Sequence, residues 1–136
     1  ADLNIPVTNS GDTALISPKS YSLLFRVLYS ATYLNRNDSE ELLKILNGAT
    51  FSDGLVRGVP DNIVTAHKFG FRRLKETDNN ASEEAELHDC GIVYYPDHPY
   101  FLCVMTRGSD YDSLSKIIAE VSRTAYAWQD AFWTKR

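Results

Sequence analysis

Leu87-His88-Asp89-Cys90-Gly91-Ile92-Val93-Tyr94-Tyr95 and Tyr100-Phe101-Leu102-Cys103-Val104-Met105-Thr106-Arg107 flank the tetrapeptide Pro96-Asp97-His98-Pro99. Two strand-length runs of β-branched and aromatic residues around a turn bounded by prolines read as a β-hairpin. Upstream, Ile63–Arg73 has the same character, with Gly70 inside it. Between this run and the hairpin, residues 76–86 carry Asp78, Glu83, Glu84 and Glu86 and read as a solvated loop. The pattern predicts three antiparallel strands in chain order.

Helical spacing surrounds the strands. Ser17-Pro18 opens a helix, with serine as N-cap and proline where its missing N–H costs nothing. Tyr21, Leu24, Phe25, Leu28 and Thr32 carry the period to about Leu34. Asp38 and Glu41 have capping-box spacing ahead of Leu42, Leu43, Ile45 and Leu46, and Asn47-Gly48 stops that helix, glycine taking a left-handed position. Ser52 caps a further turn through Leu55 and Val56, closed by Gly58 and Pro60. After the hairpin, Ser109 and Asp112 cap a terminal helix whose apolar face runs Leu114, Ile117, Ile118, Val121, Ala125, Trp128 and Phe132. Residues 1–16 are polar and turn-rich and read as an irregular loop. The expected architecture is α+β in a single unit: loop and helices over 1–62, strands over 63–108, and a terminal helix over 109–134 packed on the sheet.

Composition narrows the function. The 136 residues carry 14 Lys+Arg against 18 Asp+Glu, a net charge of −4, which disfavours a binder of phosphate backbones. Hydrophobic residues make up 43 %, enough for a core, and no apolar run approaches the roughly 20 residues of a membrane span. His88, His98 and Cys103 show no ligand spacing, so no metal centre is expected. A turn centred on Asp97-His98 places Cys103 opposite Ile92 and Cys90 diagonal to it, so two free buried thiols are expected. Tyr126–Trp133 reads as helix packing. In the first strand, Lys68 stands two residues before Gly70, and Arg72, Arg73 and Lys75 come after it. Lys68 is either a solvent-facing strand lysine beside a glycine bulge, or an ammonium offered to an anionic ligand where glycine lets it approach the backbone.

Thr65-Ala66-His67-Lys68-Phe69-Gly70 resembles the Lys-Thr/Ser-Gly box of serine β-lactamases and penicillin-binding proteins. Ser17-Pro18-Lys19 resembles the opening of the helix after the omega loop of the class A enzymes, and Asp38–Leu46 and Ser52–Pro60 resemble the helices before the box. Cys90–Tyr95 and Pro99–Gly108 resemble the next two strands of those enzymes, and the terminal helix resembles their closing helix. Asp2-Leu3-Asn4 resembles the end of the Glu-Pro-Glu-Leu-Asn segment.

The resemblance implies the C-terminal part of a partial β-lactamase/transpeptidase-like fold. Lys68 holds the box lysine's place, orienting a substrate carboxylate and the nearby proton network. Phe69, Gly70 and Phe71 line the substrate, Gly70 leaving room and the Phe71 N–H serving as one oxyanion donor. Asn4 holds the deacylating water. Phe69 lacks the hydroxyl that binds the substrate carboxylate in the family, so Arg72, Arg73 or Arg107 is the expected alternative fork. Ser113-Leu114-Ser115-Lys116 reads Ser-x-x-Lys but lies after the box, and Tyr33-Leu34-Asn35 sits at a helix end; both are decoys.

The expected function is therefore part of a penicillin-interactive serine hydrolase that acts through an acyl-enzyme on β-lactam or peptidoglycan-like substrates. This chain carries no nucleophile and is inactive alone. It uses no cofactor, is extracytoplasmic, and forms a homodimer or associates with an N-terminal half through the exposed edge Tyr100–Arg107. The alternatives are a non-catalytic binding module on the same fold, which Phe69 favours, and an unrelated α+β module with a chance Lys-x-Gly.

Overall fold

The structure is a computed structural model that describes residues 5–10, 13–74 and 84–135. Three nine-residue strands, β3 (Thr65–Arg73), β4 (Ala85–Val93) and β5 (Tyr100–Gly108), form an antiparallel sheet in chain order. The central strand β4 buries both of its faces. Leu87, with Phe69, Leu102 and Val104 from its neighbours, packs with Leu55 on Leu114 and Ile118 of α3 (Tyr111–Trp133). Cys90 and Ile92, with Phe101, Cys103 and Met105, pack on Tyr21 and Phe25 of α1 (Pro18–Tyr29) and Leu43 and Leu46 of α2 (Arg36–Asn47). Each fully buried side chain of this size contributes roughly 1.5–3 kcal/mol, so the two faces together hold the sheet in place. The α+β meander with its terminal helix on the sheet is the architecture the sequence predicts.

Several details depart from expectation. Residues 5–16 are not all irregular: β1 (Thr8–Ser10) and β2 (Thr13–Leu15) form a small hairpin, too short for alternation to stand out from turn-rich composition. α1 ends at Tyr29, five residues short of Leu34. Its last carbonyls are closed by the Ala31 N–H donating to Leu28 O and the Thr32 N–H to Val27 O, each 3.2 Å, with Ala31 at φ 48°. This is a glycine-type helix stop built on alanine, invisible to a residue-based reading. α2 is capped by Asn35, not Asp38: Asn35 Oδ1 accepts from the Asp38 N–H at 2.9 Å, and Asn35 Nδ2 donates to Asp38 Oδ2 at 2.6 Å. Gly48 ends that helix at φ −79° rather than in the left-handed region. α3 is likewise capped one residue later than expected, by Asp110 accepting from the Ser113 N–H at 2.9 Å.

The turn after Leu55 is a 3-10 turn at Val56–Gly58 with no side-chain cap. It lies tightly on α3: Ser122 Oγ donates to Leu55 O at 2.7 Å, and a Cβ on Gly58 would stand 2.4 Å from Ser122 Cβ.

The hairpin register corrects the cysteine reading. Val93 pairs with Tyr100, so residues 94–99 form the connection and its centre lies at Pro96-Asp97. Moving the centre back by one residue moves the pairing by two, and Cys90 faces Cys103 instead of lying diagonal to it. The two cysteines form a disulfide, and the described chain has no free thiol.

Candidate functional site

β3 is an edge strand with a continuous register against β4, so Gly70 sits in no bulge. Alternation sends Lys68, Gly70 and Arg72 to the α1 face, opposite Cys90, His88 and Glu86. There a groove of about 250 Å3 is lined by Leu15 and Ile16 from β2 and its end, Gly70, Phe71 and Arg72 from β3, and Glu86, His88 and Met105 from β4 and β5. Gly70 is what admits the His88 ring to it. A Cβ at that position would stand 2.2 Å from His88 Cε1 and 2.5 Å from Nε2, because the imidazole lies across the glycine backbone. Lys68, on the same strand, is exposed and is not among the lining residues. Its ammonium donates to the Phe69 carbonyl oxygen and lies 4.7 Å from the Phe69 ring centroid.

Beneath Lys68, on the α3 face, the strand is clamped. His67 Nδ1 lies 2.8 Å from Asp89 Oδ1, and Asp89 Oδ2 accepts the Leu55 N–H at 2.8 Å. The His67 and Asp89 side chains are 1 % and 0 % exposed, so this pair has no water to fall back on. Gly54 makes room for the carboxylate, since a Cβ there would stand 2.3 Å from Asp89 Oδ2. Phe69 stacks on Phe51 with centroids 4.1 Å apart. Residues 67 and 69 are thus both fixed on one side, and the backbone of Lys68 is held between them.

The residues expected to serve a site divide accordingly. Gly70 and Phe71 line the groove, and Lys68 is exposed on the same strand but is not among the lining residues. Phe69 is a correction: its ring points to the α3 core, where it is a strut rather than a substrate contact. Arg107 is not among the residues lining this groove, and its guanidinium pairs with Glu84, Nε donating at 2.7 Å. Arg72 lines the groove but pairs with Glu86 (Nε to Oε2, 2.9 Å). Asn4 lies outside the described residues, as do residues 76–83 of the acidic loop.

Both decoy motifs have structural occupations. Ser113 Oγ donates to Asp110 Oδ2 at 2.5 Å, Ser115 Oγ donates to Asp53 O at 3.0 Å, and Asn35 caps α2. In the aromatic tail, Trp133 stacks on His98 with centroids 3.4 Å apart and Tyr95 Oη donates to Asp130 Oδ1 at 3.1 Å, joining the strand connection to the end of α3. Among the described residues no group of His, Cys, Asp and Glu side chains is arranged to hold a metal.

Sequence reasoning missed His88 and the His67–Asp89 clamp. The signal was present in the alternation of β4: Leu87 and Asp89 share one phase, His88 and Cys90 the other, so Asp89 had to enter a core.

The geometry has counterparts among known proteins. The family model for the β-lactamase enzyme family matches residues 2–129. Among solved structures, the TLA-1 extended-spectrum β-lactamase is 24 % identical, with a TM-score of 0.71 over 86 % of this chain and 42 % of its own. PBP-A is 21 % identical, TM-score 0.69, over 88 % of this chain and 42 % of its own. A representative of class A β-lactamase from Bacteroides cellulosilyticus is 18 % identical, TM-score 0.72, over 87 % of this chain and 43 % of its own. The chain therefore spans less than half the length of each of these structures, and at these identities the likeness establishes the fold. A search of curated proteins returns no significant match.

Proposed function

The chain belongs to the β-lactamase enzyme family, and from that membership we propose that it forms the Lys68 wall of a β-lactamase-type groove in a serine hydrolase acting on β-lactam or peptidoglycan-like amides. The observation that carries this reading is the β3 edge itself. Lys68 is exposed on this strand, Gly70 leaves room in the wall for the His88 ring, and the strand behind them is pinned by buried contacts. A preorganised cation and an open strand edge suit a flat amide with a carboxylate beside it. Lys68 releases the Phe69 carbonyl to meet that carboxylate, and the Phe71 N–H serves as one oxyanion donor.

The described groove wall contains no serine, so the acyl-forming hydroxyl comes from a segment other than this wall. The chain alone is then inactive. With fluorescent penicillin it remains unlabelled on a denaturing gel, and nitrocefin is not turned over. Labelling of any serine of this chain overturns the reading.

The partner surface lies on the other side of the sheet. β5 has an unpaired edge among the described strands, flanked by apolar grooves of about 390 Å3 against α1 and about 630 Å3 against α3. Trp128, 63 % exposed, borders the second. Such an edge invites strand addition. We assign it to the part of the family fold that this chain does not span. Sedimentation at micromolar concentration then shows self-association while that edge is open; a monodisperse monomer that binds no apolar dye speaks against it. The disulfide fits the oxidising, extracytoplasmic setting implied by the family. Among the described residues no helix is long and apolar enough to cross a membrane.

A further inference from the structure

We infer that the cavity between the end of α1 and the start of α2 is a saccharide site, taking a neutral pyranose ring against Tyr29 and Tyr94 and bonding its hydroxyls through Ser39, Arg36 and Glu40. It shares no lining residue with the groove on β3 and does not rest on the function proposed for that groove.

The two helices stop short of each other. α1 closes at Tyr29, where Ala31 turns the chain at φ 48°, and α2 opens at Arg36 behind its Asn35 cap. The space between these ends and Tyr94, which follows β4, measures about 500 Å3, with Ser30, Arg36, Ser39 and Glu40 among its walls. Ser39 is the residue that points to a ligand. It lines the cavity yet is only 2 % exposed, and its Oγ has no hydrogen-bond partner. The hydroxyl does not turn back along the helix to Asn35 O, which accepts the Ser39 N–H at 3.0 Å. A buried hydroxyl left unpaired destabilises its surroundings, and a ligand that brings a partner removes that penalty.

The charges choose the ligand class. The lining holds one cation and one anion, Arg36 and Glu40, and they pair with each other at 3.1 Å. A phosphate or carboxylate has to take Arg36 away from Glu40, and an ammonium has to take Glu40 away from Arg36. A hydroxyl does neither, since it accepts from the guanidinium and donates to the carboxylate while the pair stays whole. The tyrosines choose the shape. Their ring centroids lie 6.5 Å apart with planes tilted by 46°, and Tyr29 is 50 % exposed. Such rings offer an apolar face to the flat C–H face of a sugar and keep a polar end for its hydroxyls. Burial, and then Tyr29, raises the pKa of the Tyr94 phenol above its usual value, so at pH 7 it is a neutral donor.

Amide-shift titration of the full chain with methyl β-glucopyranoside, with cellobiose, with inorganic phosphate and with tetramethylammonium tests this. Expected are shifts at residues 29–31, 36–40 and 94 with the sugars, at millimolar concentration and unchanged by added salt, because the ligand carries no charge. Tighter binding of cellobiose than of the single ring identifies a chain of sugars as the ligand; equal binding identifies one ring. Tyr29→Ala lowers the sugar affinity about tenfold, and Ser39→Ala lowers it about fivefold, the effect of one hydrogen bond. Ser39→Ala leaves the urea midpoint at or above that of the parent, since it removes an unpaired group, so its lost affinity is not a lost fold. Phosphate or tetramethylammonium shifting these residues where the sugars do not overturns the neutral ligand. Sugar shifts that survive both variants, or no shift with either sugar, overturn the site.

Discussion

Replacing Asp89 by alanine is expected to cost about 3–5 kcal/mol, enough to leave much of the chain unfolded at room temperature. One carboxylate serves two buried donors: the His67 imidazole at 2.8 Å and the Leu55 N–H at 2.8 Å, and no water reaches either. Alanine strands both and opens a void beside Gly54, whose missing side chain exists to admit the carboxylate. Asp89→Asn keeps an acceptor for Leu55 and is expected to lose about 1–3 kcal/mol. Urea unfolding monitored by circular dichroism reads both variants. A midpoint for Asp89→Ala within about 1 kcal/mol of the parent would show that the clamp contributes little. Because the clamp lies directly under Lys68, Asp89→Asn also tests positioning: its amide signals for residues 67–71 shift even where the fold persists.

Losing the Cys90–Cys103 disulfide is the second large effect, about 2–4 kcal/mol. The bond joins directly paired residues of β4 and β5 across a sequence separation of 13, and in the unfolded chain it forbids the hairpin loop from opening. Both sulfurs lie in the cluster with Phe25 and Ile92, so Cys90→Ala/Cys103→Ala removes core contacts along with the cross-link. Reduction by dithiothreitol and then thermal unfolding separates the two: the reduced wild type loses the cross-link and keeps the sulfurs. A reduced chain that melts with the oxidised one would contradict the cross-link's part.

The sheet and terminal helix were legible because their signals are long. Nine-residue strands and a helix from Tyr111 to Trp133 give periodicity many residues in which to appear. The failures fall where one residue decides. Ala31 stops α1 by adopting a conformation that residue identity does not announce. A shift of one residue in the centre of the 94–99 connection changed the cysteines from diagonal to facing. Family resemblance points to Lys68, Phe69 and Gly70, yet it cannot show that Phe69 faces the opposite core, since facing is a property of the pleat against a core and not of the motif. His88 and Asp89 are adjacent in sequence, yet the strand sends one to the groove and the other to the clamp. Arg107 is expected as a fork in place of the hydroxyl that Phe69 lacks, and the strand register cannot announce that its guanidinium pairs with Glu84.

On the proposed reading, the β3 edge around Lys68 is one wall of a β-lactam-binding groove whose attacking hydroxyl lies elsewhere. Titration of the isotope-labelled chain with benzylpenicillin, watched by amide shifts and by intact mass in the same sample, tests it most directly. Expected are shifts confined to Lys68, Gly70, Phe71 and His88, abolished by Lys68→Met, with the mass unchanged. A covalent adduct on a serine of this chain, or shifts that survive Lys68→Met or gather elsewhere, would contradict it.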